Sequence, residues 1–122
     1  MTAVLVHGVP ETPALWDRLI GHLSRTDVVT PALPGFVDAR PAGFGATMDD
    51  YAEWLISELE SIGEPVDLVG HDWGGGFTVR VVSLRPDLVR SWISDAAGLA
   101  DVSFEWHAFA KIWQTPNEGE AF

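Results

Sequence analysis

The stretch of residues 66–76 restricts the fold of this chain more than any other. It begins with a short apolar run that stops at Gly70, and three residues later three consecutive glycines follow at positions 74–76. Small residues are needed where a strand turns directly into a helix, because the backbone passes close to its neighbours there. The pattern therefore predicts a strand over 66–69, a tight turn, and a helix over 77–84.

Asp72 stands at the centre of this turn. The run Gly70-His71-Asp72-Trp73-Gly74 matches the nucleophile elbow Gly-x-Nuc-x-Gly. Free N–H groups and the positive end of the helix dipole favour a carboxylate at such a place. A carboxylate is ionised at neutral pH, so it attacks carbon without a base to deprotonate it. Asp72 therefore predicts attack at a carbon bearing a leaving group, through a covalent ester, and argues against acyl transfer by serine.

Composition narrows the class of protein. A length of 122 residues fits one domain, and 47% hydrophobic with 20% charged residues is typical of a globular chain. The net charge of −11 argues against nucleic-acid binding, because phosphates would be repelled. The chain has no cysteine, so disulfides are excluded.

The N-terminus and the hydropathy predict a location. Met1 leads within three residues into a strand-like run, so we expect no signal peptide. The apolar runs are too short to cross a bilayer, so we expect no membrane partner and a cytoplasmic protein. We also expect no metal and no cofactor.

Strand and helix patterns alternate along the chain. Such alternation predicts an α/β fold with a mostly parallel sheet and right-handed crossovers. A sixteen-residue loop with three prolines and three glycines, residues 31–46, is expected to be functional or a plain surface crossing. The remaining predictions are strands over 3–6, 28–30 and 89–94, and helices over 13–24, from a capping box at Thr47 to Gly63, and around 106–113.

Three motifs in this order resemble those of the α/β-hydrolase fold, in its epoxide hydrolase and haloalkane dehalogenase branch. They are His7-Gly8-Val9-Pro10-Glu11, Leu33-Pro34-Gly35-Phe36 and Gly70-His71-Asp72-Trp73-Gly74-Gly75. The resemblance implies that residues 1–98 are the N-terminal part of a truncated α/β-hydrolase core and that 99–122 begin a cap. It also implies a small apolar organic substrate, an epoxide or a haloalkane.

The resemblance implies a role for each motif residue. Asp72 would be the nucleophile, the backbone N–H groups of Val9 and Trp73 would form the oxyanion hole, and Trp73 with Phe36 would line the substrate pocket. The residues implied to be structural are His7, Gly8, Pro10, Gly70, His71, Gly74 and Gly75. Valine at position 9 departs from both enzyme types, since dehalogenases often have Asn there and epoxide hydrolases an aromatic residue. Glu11 is closer to epoxide hydrolases.

Ring opening and the later attack of water both use residues in the family that this chain does not show. Relatives carry two proton-donating cap tyrosines, and a late acid and histidine that activate water, whereas this chain has only Tyr51. We therefore keep three hypotheses: an epoxide hydrolase, a haloalkane or haloacid dehalogenase, and an inactive fragment or interaction module. An unpaired last strand with apolar side chains also predicts self-association.

Four other residue choices follow from sequence position. His71 is expected to be a buried structural histidine. His107 is expected to line the cap or the surface in preference to acting as a base. Asp95 is expected to cap the turn before Gly98, or to hold a histidine that this chain lacks. The aromatic residues Trp106, Phe109 and Trp113 are expected to be packing residues more than a substrate cage.

Overall fold

The computed structural model describes residues 1–98 and 101–121. Strands and helices alternate along this part of the chain, which confirms the predicted α/β class. Short 3₁₀ turns at Pro13–Trp16 and Pro86–Leu88 precede α1 and β4. The elements are β1 Ala3–Val6, α1 Asp17–Ile20, β2 Val28–Val29, α2 Met48–Ile62, β3 Val66–His71, α3 Trp73–Leu84, β4 Val89–Asp95 and α4 Ala108–Trp113. The predicted division at residue 98 stays a prediction, and Leu99, Ala100 and Phe122 lie outside the described residues.

The four strands form one parallel sheet in the order β2-β1-β3-β4. The chain leaves β1 toward β2 on one side and returns to the other side of β1 at β3. In open α/β sheets, ligands bind at such a switch point, outside the carboxyl ends of the strands. The turns after β1 and β3 carry the first and third sequence motifs, so the topology brings these two motifs together.

The helix α2 begins and ends as its sequence predicts. The Thr47 hydroxyl accepts a hydrogen bond from the Asp50 N–H at 3.1 Å, and the Asp50 carboxylate accepts one from the Thr47 N–H at 3.0 Å. This reciprocal capping box satisfies two N–H groups that the helix itself leaves unpaired. Gly63 ends the helix with a left-handed φ of 79°, which glycine adopts without steric cost.

The core lies between the central strands and the helices α2 and α3. It is built by apolar side chains that are at most 8% exposed, and the Tyr51 and Phe77 rings stack within it with centroids 4.9 Å apart. Removing such side chains from water supplies the main favourable term in folding. The core therefore fixes α3, and with it the elbow at its N-terminus. Its members are Val4, Val6, Leu33, Tyr51, Ala52, Leu55, Leu59, Val66, Leu68, Phe77 and Val81.

Two helix predictions were wrong in extent. The helix predicted over 13–24 is a 3₁₀ turn followed by a single α-helical turn that ends at Ile20, and Leu15, Leu19 and Leu23 remain exposed. Only Trp16 of this segment is buried, so the apolar spacing of the leucines did not indicate that they lie in the core. The helix predicted from position 77 begins four residues earlier, at Trp73, because buried packing outweighs the low helix propensity of glycine.

The strand β4 is the edge of the sheet in the described part of the chain, as expected. Trp92 and Ile93 on this strand are 49% and 61% exposed. Self-association through this edge stays a prediction. No helix among residues 1–98 and 101–121 is long and apolar enough to cross a membrane.

Candidate active site

Asp72 occupies a sharp turn between β3 and α3. Its backbone lies at φ 54° and ψ −122°, a conformation that residues with a side chain rarely adopt. The Asp72 N–H donates to the Asp95 carbonyl at 3.1 Å, and the Asp72 carbonyl accepts from the Gly76 N–H at 3.1 Å in the first turn of α3. These bonds hold the strained residue from both sides, so the carboxylate is presented at the carboxyl edge of the sheet.

The glycines around Asp72 are required by close backbone approaches. A Cβ added at Gly74 would overlap the carbonyl oxygens of Val6 and His7 at the end of β1, and one at Gly70 would overlap the Gly74 carbonyl. At Gly75 an added Cβ would lie 2.7 Å from the Ser94 hydroxyl. All three glycines let α3 start directly against the sheet, which is how the elbow brings Asp72 beside the turn after β1.

The turn after β1 contacts the Asp72 carboxylate. The Val9 N–H donates a hydrogen bond to Asp72 Oδ2 at 3.0 Å, and Pro10 follows Val9 through a cis peptide bond. A Cβ at Gly8 would lie 2.5 Å from Asp72 Oδ2, so only glycine fits there. This contact is what the predicted oxyanion role of Val9 requires; the role itself, and the matching role of the Trp73 N–H at the start of α3, stay predictions.

His7 is buried and supports the same turn. The His7 Nδ1–H donates to the Gly8 carbonyl at 2.8 Å, and Nε2 accepts from the Leu33 N–H at 3.0 Å. Burial lowers the pKa of His7 and outweighs the raising effects of the Gly8 carbonyl and the Glu11 charge, so the ring is held neutral. His7 therefore ties the turn after β1 to the loop over 31–46.

His71 is not the buried residue that the sequence suggested. Its side chain is partly exposed and lies between two carboxylates, with Nδ1 2.7 Å from Asp95 Oδ1 and Nε2 3.6 Å from Glu11 Oε1. Burial lowers the pKa of His71, but the Asp95 hydrogen bond and the charges of Asp95, Glu11 and Asp72 outweigh it, so this pKa lies above its usual value. Glu11 Oε2 also accepts from the Gly8 N–H at 2.8 Å, which links His71 to the turn after β1.

Asp95 corrects a second expectation. It does hold a histidine, and that histidine is His71, which had been considered only as scaffold. Both residues end neighbouring parallel strands, and they stand opposite each other in the β3–β4 register. The signal was present in the sequence, because the last residues of adjacent parallel strands meet at the same edge of a sheet. Recognising it required the register, which the sequence pattern does not specify.

A cavity of about 260 Å³ opens beside Asp72. It is walled by the turn after β1, the elbow, the turn after β4 and the segment that leads into α4. Phe36 was expected here, but its ring packs edge-on against His7, 5.9 Å away, and does not reach the cavity. The lining residues are Val9, Asp72, Trp73, Ala96, Ala97, Gly98, Phe104, Trp106, His107, Ala110, Trp113 and Gln114.

Aromatic rings form one wall of this cavity, so Trp106 and Trp113 line it, although packing was the preferred role for both. The Trp106 indole stacks on Trp73 with centroids 5.7 Å apart, and Phe104 meets it edge-on at 5.1 Å. Asp72 is the only carboxylate among the described lining residues, and none of them is Lys or Arg. Within the described residues, no group of three or more His, Cys, Asp or Glu is placed to hold a metal ion. The wall therefore suits an uncharged, mainly apolar ligand.

An alternating parallel core with a carboxylate on a strained strand-to-helix turn defines a class of protein, and comparison with known sequences gives the family. A family model described as alpha/beta hydrolase fold matches residues 4–117. The chain belongs to the α/β-hydrolase fold family.

The relatives include three kinds of enzyme. Lipase LipV of Mycobacterium tuberculosis is 33% identical over 72% of this chain and 34% of its own length. Haloalkane dehalogenase 2 of the same species is 30% identical over 93% of this chain and 41% of its own length. Epoxide hydrolase 2 of Siraitia grosvenorii is 31% identical over 75% of this chain and 30% of its own length.

A solved structure agrees in fold. The haloalkane dehalogenase DbeA-M1 loop variant of Bradyrhizobium elkanii superposes with a TM-score of 0.76 at 22% identity, over 98% of this chain and 45% of that one. The chain thus spans less than half the length of the relatives that it matches.

Proposed function

We propose that Asp72 is the nucleophile of an epoxide hydrolase-like enzyme, which opens an epoxide ring and forms a hydroxyalkyl ester. The observation that carries this proposal is the hydrogen bond from the Val9 N–H to Asp72 Oδ2, between two residues that line a mainly apolar cavity. It holds one carboxylate oxygen, so the other is free to attack carbon. Glu11, which the resemblance associates with epoxide hydrolases, supports the turn that supplies this N–H.

The hydrogen bond has a chemical use beyond orientation. When an ester forms on Oδ1 and water later attacks it, negative charge develops on the held oxygen. Backbone N–H groups aimed at such an oxygen stabilise it, and one donor of this kind is worth roughly 3 kcal/mol in acyl-transfer enzymes. In this proposal the Val9 N–H, together with the Trp73 N–H, supplies that stabilisation.

A haloalkane dehalogenase is the second candidate, with the same nucleophile. The observation that favours it is the paired indoles of Trp73 and Trp106 beside Asp72, because indole N–H groups are donors suited to a halide. The similarity to haloalkane dehalogenase 2 over 93% of this chain also supports it. The side chain of Val9 has no hydrogen-bond donor, which supports an epoxide hydrolase instead.

The test is single-turnover alkylation of the 122-residue chain, followed by intact-protein and peptide mass spectrometry. Styrene oxide and 1-bromobutane serve as probes, and Asp72→Asn is the matched control of nearly equal size. An epoxide adds its whole mass, whereas a bromoalkane adds its alkyl group in place of a proton and releases bromide. Trypsin does not cleave the Arg40–Pro41 bond and therefore yields a peptide of residues 26–80, in which fragmentation locates the adduct.

The outcomes separate the hypotheses. We expect styrene oxide to form an ester on Asp72 and to form no such adduct on the Asp72→Asn variant. Ester from 1-bromobutane with bromide release and no reaction with styrene oxide would favour the dehalogenase. The inactive fragment or interaction module would be favoured if the folded wild-type chain, like the Asp72→Asn variant, gains no adduct from either probe.

A further inference from the structure

His107 lies in the same cavity as Asp72, in the segment that leads into α4. Its position in sequence favours a surface or cap-lining residue over a general base. The cavity places it among the groups that a bound substrate would meet. What it does there depends on which of its ring nitrogens carries the proton.

The structure determines that tautomer. His107 is the N-cap of α4, and its Nδ1 accepts a hydrogen bond from the Ala110 N–H at 3.1 Å. A ring nitrogen that accepts from an N–H carries no proton, so the proton of the neutral imidazole is on Nε2. The Trp113 ring meets the imidazole edge-on, with centroids 5.9 Å apart, and limits its rotation. His107 is thus held as an Nε2–H donor.

Opening an epoxide ring needs such a donor, because the departing oxygen develops a strongly basic alkoxide. The only tyrosine, Tyr51, is not available for this, since it is in the core and its hydroxyl donates to the Pro34 carbonyl at 2.9 Å. The imidazole N–H is more acidic than the indole of Trp106 or the amide of Gln114, which also line the cavity. The imidazole is therefore the better donor to an alkoxide.

We propose that the Nε2–H of His107 donates a hydrogen bond to the epoxide oxygen during ring opening, a catalytic role that rests on the proposed function of Asp72. An Asp72 oxygen forms the bond to carbon, the ring C–O bond breaks, and its electron pair goes to the oxygen held by His107. Water then protonates this alkoxide and leaves as hydroxide. The same fixed tautomer cannot accept a proton at Nε2, so His107 is not a general base for the second step.

Two substitutions separate the donor from the helix cap. His107→Asn keeps the cap, because the Asn oxygen replaces Nδ1 as acceptor for the Ala110 N–H, but it has no group that reaches as far as Nε2. His107→Gln places a terminal N–H₂ at about the reach of Nε2 and loses the cap. Urea unfolding of both variants measures the cap separately from the reaction.

The experiment measures the single-turnover rate of ester formation on Asp72 with styrene oxide and with 1-bromobutane. We expect His107→Asn to slow the epoxide reaction about 100-fold, the usual effect of losing one donor to a developing oxyanion. The bromoalkane reaction should change less than about threefold, because bromide is a weak base that accepts hydrogen bonds poorly. His107→Gln should retain most of the epoxide rate despite lower stability.

Other outcomes would overturn the proposal. Equal slowing of both probes in His107→Asn would assign His107 a structural role, and an unchanged epoxide rate would exclude it as the donor. Loss of the epoxide rate in Gln114→Ala, with none in His107→Asn, would assign the donor to Gln114. No ester on Asp72 of the unsubstituted chain would overturn the proposed function itself, and this proposal with it.

Discussion

Replacing Asp72 by glycine should give a more stable chain than replacing it by alanine, the reverse of the usual order within a helix or strand. Both substitutions remove the carboxylate and the hydrogen bond from the Val9 N–H, so they differ only by the Cβ. Asp72 lies at φ 54° and ψ −122°, where glycine is unstrained and alanine is not. The comparison therefore isolates the backbone strain at the elbow.

The magnitude follows from this geometry. A residue with a side chain in so sparsely populated a region costs about 1–3 kcal/mol. Glycine loses more backbone freedom on folding, which costs it about 0.5–1 kcal/mol relative to alanine. The difference between the midpoints of these two ranges leaves Asp72→Gly more stable than Asp72→Ala by about 1 kcal/mol.

Urea unfolding followed by tryptophan fluorescence is the assay. Small proteins lose about 2 kcal/mol of stability per molar urea, so the midpoint of Asp72→Gly should lie about 0.5 M above that of Asp72→Ala. Ser57, an exposed residue inside α2, provides the control pair. There Ser57→Gly should be less stable than Ser57→Ala by about 1 kcal/mol. If Asp72→Ala proves at least as stable as Asp72→Gly, the elbow does not impose a positive φ and the reasoning fails.

Three further perturbations test the network around the site and the sheet. Gly8→Ala should reduce ester formation about 100-fold by mass spectrometry, because its Cβ would lie 2.5 Å from Asp72 Oδ2 and displace the nucleophile. Asp95→Asn should lower the pKa of His71 in an NMR titration, since burial already lowers this pKa and the Asp95 carboxylate is the main group that raises it. Asp67→Asn should lower the melting temperature at neutral pH and much less near pH 2, because hydrogen bonds from Ser91, Arg90 and Arg25 lower the pKa of Asp67 to about 2.

The pH windows and controls follow from the directions of these shifts. A raised His71 pKa adds stability below about pH 6.5, and this stability is lost as pH rises through the raised value. The wild-type chain should therefore be more stable than Asp95→Asn mainly at acidic pH. A lowered Asp67 pKa adds stability above about pH 3.9 that is lost toward pH 2, and a pH-independent difference would contradict its origin. Gly21→Ala, where an added Cβ meets nothing nearer than 3.5 Å, should leave ester formation unchanged and controls for Gly8→Ala.

The elements with a strong local signal were predictable. A capping box at Thr47 and a glycine at position 63 mark both ends of α2, and the structure places the helix between them. The buried strands β1 and β3 read as apolar runs, because a parallel strand is covered on both faces. These features depend on residues close together in the chain, so the sequence pattern carries them directly.

The first helix shows where local pattern is insufficient. Leucines at helical spacing predicted one helix over 13–24, yet the α-helical part is a single turn and those leucines are exposed. Periodicity indicates a possible apolar face but not whether another element covers it. Phe36 and Trp106 illustrate the same point in the site, since the first packs on His7 and the second lines the cavity, the reverse of what sequence position suggested.

The sequence by itself determined the elbow: a carboxylate at position 72 with glycines at positions 70 and 74. That inference needs only neighbouring residues, because the turn's geometry is set by local sterics. The tertiary structure alone decided what surrounds the carboxylate. Its surroundings come from four separate segments, which strand order, register and helix capping bring together. They include the Val9 N–H, the contacts of His71 with Asp95 and Glu11, and the hydrogen bond that fixes the His107 tautomer.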